Sequence, residues 1–388
     1  MINGIIASLI ATIIVSITLF LYKKGYILEF YNWFLFLFKP KGDSKQSISP
    51  NKLTKFQKGI TRKLLLDQSR FGRHRGQFGK SCDLLNAKKW QTKGSKENIN
   101  LKPRIYLTYW PIFILNKYKL RQYSLNLAIK YSLNLAIKGI KELFHNNKIP
   151  VFSSSPQTSP TELTLTFNIR HTMAGAHILA IEDPNNNITR SVIGQMLDSD
   201  NHWQDENGGW RQTSDLSSKV DLWASVYAIK LLDFVIKSEL KTFDGTSDLV
   251  IETIKRTIAF IKGEFKSNKW GEPGKLLVEE NLVSIFIDLA PLLLEYSPSL
   301  YKDCLNEMKS WLDNAGNLSE RYLSAIGKQS TPISIEQAYA RMAYAFYLAD
   351  ENNWKLWFER LTDCSLKTMF SSELAFLLEL TFKYNDKK

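Results

Sequence analysis

The stretch Gln204-Asp205-Glu206-Asn207-Gly208-Gly209-Trp210 decides how this chain is read. A glutamine is followed after three residues by a glycine, and after one more by a tryptophan. Helical periodicity precedes the stretch, and a second helical pattern follows over 220–236. Outward from it, the pattern stays helical from about residue 52 to the end. Strand-like alternation is scarce, with 162–169 its best candidate.

The helices form a loose repeat. Apolar helices rich in small residues open on polar ones: Arg170-His171, Asp221, Glu279-Glu280-Asn281 and Glu336-Gln337. Their starts are about 50–60 residues apart, the range of two-helix repeats. The segment 106–115, with Trp110, is an earlier member. Longer, more charged helices, 247–265 and 299–312, lie between them. The small-residue helices are expected inside and the charged ones outside. Trp270-Gly271 and Gly316-Asn317-Leu318 repeat the glycine–tryptophan theme incompletely. At 123–138 the sequence YSLNLAIK occurs twice in tandem, lengthening one helix. Pro150 to Pro160, with three prolines and a serine run, reads as a break.

The Gln204–Trp210 stretch resembles the QW repeat of the terpenoid-cyclase and protein-prenyltransferase families. Their helical hairpins close into an α/α toroid. The resemblance implies an all-α chain with a full or partial toroid over 161–388. It also implies a structural role for Gln204, Gly208 and Trp210. The amide would bond backbone, and the indole would fill the gap between outer helices.

The catalytic groups of those families are mostly missing. The nearest match to the Asp-x-Asp-Asp acid motif of the cyclases is Asp198-Ser199-Asp200-Asn201. It ends in Asn and lies in an outer connection, so it reads as a solvated turn. Asp303-Cys304 and Asp363-Cys364 cannot complete the zinc set of the prenyltransferases, which needs a later histidine, because the last histidine is His202. Cys82, Cys304 and Cys364 are far apart, without CxxC spacing, so neither a disulfide framework nor a metal is expected. His171 and His177, six apart, fall on opposite sides of a helix. Nucleophile-elbow, phosphate-loop and dinucleotide motifs are absent, and no cofactor is expected.

The helix starts supply a candidate site. In a toroid they line the mouth of the central cavity, which gathers Arg170, His171, Asp221, Glu280, Glu336 and Arg341. Mixed charge around a hollow suits a polar ligand. Asp221, Glu280 and Glu336 also suit plain helix capping.

The N-terminal part points to a membrane. Residues 4–22 carry no charge, and Lys23 and Lys24 stop the run. About 20 apolar residues span a bilayer, so 1–24 is expected to be a single-pass anchor. A cleaved signal peptide would want a charged start and a small-residue cleavage site, where this chain has Leu21-Tyr22-Lys23-Lys24. The positive-inside rule then puts the C-terminal part in the cytoplasm, at the cell inner membrane or plasma membrane. Residues 25–51 read as an interfacial aromatic helix and a linker, and 52–160 as a basic juxtamembrane helical region. The formal net charge is +13, but 39–130 alone carries 22 Lys/Arg and 4 Asp/Glu, a net of +18. Anionic lipid is the expected partner of this block, and of the basic, glycine-rich 70–79; nucleic acid is the second reading.

Two functions fit. One is a membrane-anchored toroid that binds a ligand or partner, as receptor, effector or scaffold. The other is an enzyme acting on a lipid-linked isoprenoid or sugar. A cavity lined by Trp110, Trp223, Tyr227 and Tyr339 with two facing carboxylates would favour the enzyme, and a cavity plugged by side chains would exclude it.

Overall fold

Asn168, Asp221 and Ser334 each have extended backbone and start a helix. The Asn168 side chain accepts the N–H of His171 at 2.9 Å, and that of Asp221 accepts the N–H of Trp223 at 2.9 Å. Ser334 and Gln337 cap one another's backbone reciprocally. Such caps satisfy donors that the first helical turn leaves unpaired.

The computed structural model describes residues 52–68, 76–79, 105–118, 126–145, 151–152, 168–238, 247–267, 278–327, 333–364, 366 and 369–386. These are all-α. Among them are thirteen α-helices: α1 Lys52–Asp67, α2 Ile105–Tyr118, α3 Asn126–Leu143, α4 Ile169–Glu182, α5 Asn187–Leu197, α6 Leu222–Lys237, α7 Ser247–Lys266, α8 Val278–Tyr296, α9 Pro298–Ser310, α10 Glu320–Gly327, α11 Ile335–Leu348, α12 Asn353–Leu361 and α13 Ser371–Asp386. One antiparallel pair, β1 Phe144–His145 with β2 Val151–Phe152, is the only sheet among the described residues. Most of the strand candidate 162–169 lies outside them, and its last residue, Ile169, opens α4.

Six helices pack in a cyclic order. α2 contacts α4, α4 contacts α6, α6 contacts α8, α8 contacts α11, α11 contacts α13, and α13 returns to α2. Their contacts advance in step along the helices. Lys230 and Lys237 on α6 meet Asp288 and Glu295 on α8, and Trp110 and Lys117 on α2 meet Phe376 and Glu379 on α13. Each of these pairs therefore runs parallel. The six are buried nearly all round, as 172–180 and 224–232 show without a break.

The remaining long helices pack outside. α3 lies on α2 and α4, α5 on α4, α7 on α6 and α8, α9 on α8, α12 on α11 and α13, and α1 on α13. They are amphipathic. In α7, Val250, Thr253, Ile254, Thr257, Ile258 and Ile261 are buried, while Lys255, Arg256 and Ala259 are exposed.

One loop occurs twice. In 203–211 the Asp205 carboxylate accepts the N–H groups of Asn207 and Gly209 at 3.0 and 2.9 Å, and Asp205 N–H donates to Gly209 O at 2.8 Å. In 311–319 Asp313 does the same with Ala315 and Asn317, each at 2.8 Å, and Asp313 N–H donates to Asn317 O at 2.8 Å. Gly208 and Gly316 share positive φ, +89° and +75°, which glycine adopts without steric cost. Gln204 pairs across the first loop with Trp210, and Leu312 pairs across the second with Leu318. Trp270-Gly271 lies outside the described residues.

Helices on both sides of position 160 pack together. α2 sits between α4 and α13, and α1 covers α13. Lys117 Nζ and Tyr118 OH both donate to Glu379, at 2.5 and 3.2 Å. Among the described residues no helix is long and apolar enough to cross a membrane. The expected anchor at 1–24, the segment at 25–51 and most of the basic, glycine-rich 70–79 lie outside them.

Candidate functional site

The α6 sequence places Trp223, Tyr227 and Lys230 at i, i+4 and i+7, one face of the helix. Arg170 and His177 on α4 are also seven apart. These faces meet within the six-helix cycle and make three successive layers.

The first layer lies at the N-terminal ends. The Arg170 guanidinium is 3.8 Å from Asp221 Oδ2 and stands over the rings of Trp223 and Tyr227, 5.6 and 5.9 Å from their centroids. Cation–π and ion-pair attraction thus fix one arginine against the neighbouring helix. Separately, Arg341 Nε in the middle of α11 donates to Glu373 Oε1 in the first turn of α13 at 2.7 Å. Glu373 Oε2 accepts the N–H of Phe370 at 3.0 Å.

The second layer is centred on Lys230, which is 6% exposed. Its ammonium pairs with Asp288 and lies 3.6 Å from the Tyr109 ring centroid, 4.9 Å from Trp110 and 5.8 Å from Tyr227. His177 lies tilted between Tyr109 and Phe234, at 4.9 and 5.3 Å, and its Nδ1 has no hydrogen-bond partner. Trp110, Tyr344 and Phe376 pack as a triplet, the last two stacked at 4.5 Å. The third layer holds Glu379, which accepts from Tyr344 OH at 2.5 Å as well as from Lys117 and Tyr118. Asp233, Lys237 and Glu295 form a charged cluster at the C-terminal ends of α6 and α8.

Burial governs the protonation of these layers. It pulls His177 well below the usual histidine range, with the Lys230 charge acting in the same direction. It also lowers Lys230, against the opposing pull of Asp288. Burial, then Asp288, holds Tyr109 well above the ordinary tyrosine value. Burial, then Glu379, does the same for Tyr344. These phenols are therefore neutral donors at physiological pH. Among the described residues no group of His, Cys, Asp and Glu could hold a metal ion.

The expected rim residues divide. Arg170 and Asp221 are brought together, and Asp221 also caps α6. His171 is half-buried beside Arg170. Arg341 belongs to the separate pair with Glu373. Glu336 is half-buried in the first turn of α11, and the Glu280 side chain lies outside the described residues. Tyr339, expected in the cavity lining, packs against Trp357 on α12 at 6.2 Å instead. Gln204 and Trp210 bond to Thr257 on α7, and Gln204 also donates to Gly208 O at 3.0 Å. Asp198 caps the short 3₁₀ turn Ser199–Asn201, an exposed turn as read from sequence.

Sequence reasoning overlooked Lys230, Asp288, Glu373 and Glu379. The signal was available: each is a charge within an otherwise apolar helix, and such a charge needs a partner when buried. No protein-family model matches the chain, and a search of curated proteins finds no match either.

Proposed function

We propose that this chain is a membrane-tethered α/α toroid of the terpenoid-cyclase and prenyltransferase kind. It serves as a receptor, effector or scaffold and takes a ligand or partner at the mouth formed by the N-terminal ends of α4, α6, α11 and α13. The cyclic packing of six helices inside an outer set supports the toroid. The charge-free run 4–22, closed by Lys23 and Lys24, supports a tether with the domain on the cytoplasmic side. The basic excess of 39–130 supports contact with anionic lipid.

One observation carries binding at the mouth: Arg170 is held by Asp221, Trp223 and Tyr227. This group offers charge, hydrogen bonds and aromatic faces together, the mix that orients a small polar ligand. The enzyme reading is weaker, because Lys230 and the Trp110–Tyr344–Phe376 triplet fill the interior and Tyr339 lies elsewhere.

The test is mass spectrometry of small molecules that copurify with the full-length protein extracted from membranes. The wild type is expected to carry a compound that an R170A/W223A double variant loses while keeping its helical circular dichroism. Identical profiles for the two proteins would refute the mouth as the site. Turnover of a polyprenyl diphosphate or a lipid-linked glycan would revive the enzyme.

A further inference from the structure

We draw no further inference here: the strongest candidate, the apolar tip Leu216, 60% exposed on the loop between α5 and α6 that Arg211 braces through the carbonyls of Leu216 and Ser218, carries none because nothing in the structure shows what covers it.

Discussion

The indole Nε1 of Trp210 donates to Thr257 Oγ1 at 3.0 Å, joining the loop before α6 to the middle of α7. The same hydroxyl accepts from Gln204 Nε2 at 2.9 Å and donates to Thr253 O at 2.9 Å. One threonine thus ties a glutamine and a tryptophan six residues apart to the outer helix of the next hairpin. Thr257→Val keeps the shape, leaves the buried Trp210 indole N–H unpaired and leaves the Gln204 amide only its bond to Gly208 O. A loss of about 2–4 kcal/mol follows, read from chemical denaturation. Trp210→Ala, at a site with no exposure, is expected to cost about 3–5 kcal/mol.

Gly208 and Gly316 occupy equivalent loop positions with different surroundings. A Cβ on Gly208 would lie 2.5 Å from Arg256 O, whereas on Gly316 the nearest atom is Asn353 Nδ2 at 3.5 Å. Gly316→Ala then carries only the left-handed backbone cost, about 1–2 kcal/mol. Gly208→Ala must also push α7 away and is expected to lower the melting temperature further. Equal losses would contradict this account.

The Lys230–Asp288 pair is expected to be costly to halve. Lys230→Met or Asp288→Leu alone strands a buried charge, at about 3–5 kcal/mol each. The double variant K230M/D288L removes both charges and should recover most of that loss. A thermodynamic cycle from thermal melts checks the coupling.

Stability should fall in mild acid because of His177. Burial and Lys230 hold its folded value below the ordinary 6.5. Below pH 6.5 the unfolded chain therefore binds a proton that the folded chain resists. The stabilising contribution is complete above 6.5 and is lost progressively as pH drops. The slope approaches about 1.4 kcal/mol per pH unit for this one proton. His177→Leu, which keeps the packing between Tyr109 and Phe234, should flatten the stability profile between pH 6.5 and 5. An unchanged profile would assign the acid sensitivity to other groups.

Much of the helical framework was legible from local pattern. The starts at Arg170, Asp221, Glu279 and Glu336 each fall within two residues of a helix beginning, because capping residues and apolar periodicity are local signals. α13 escaped notice as a member of the inner set, although Ser371-Ser372-Glu373 precedes an apolar run just as the other starts do. Glu379 and Lys383 interrupt its apolar run. In the fold the Glu379 charge is met by Lys117, Tyr118 and Tyr344, two of them more than 260 residues away in sequence. The rim was half legible for the same reason: Asp221 is recognisable as a cap, but its approach to Arg170 depends on how α4 and α6 pack.

By itself the sequence determined that the described chain is helical and where several of its helices begin, since capping residues and apolar periodicity act within a few residues. Only the tertiary structure decided that α2 and α13 complete a six-helix cycle, and that Lys230 faces Asp288 among three aromatic rings. Those pairings join residues tens to hundreds of positions apart, and burial makes a charge choose its partner by proximity in space rather than along the chain.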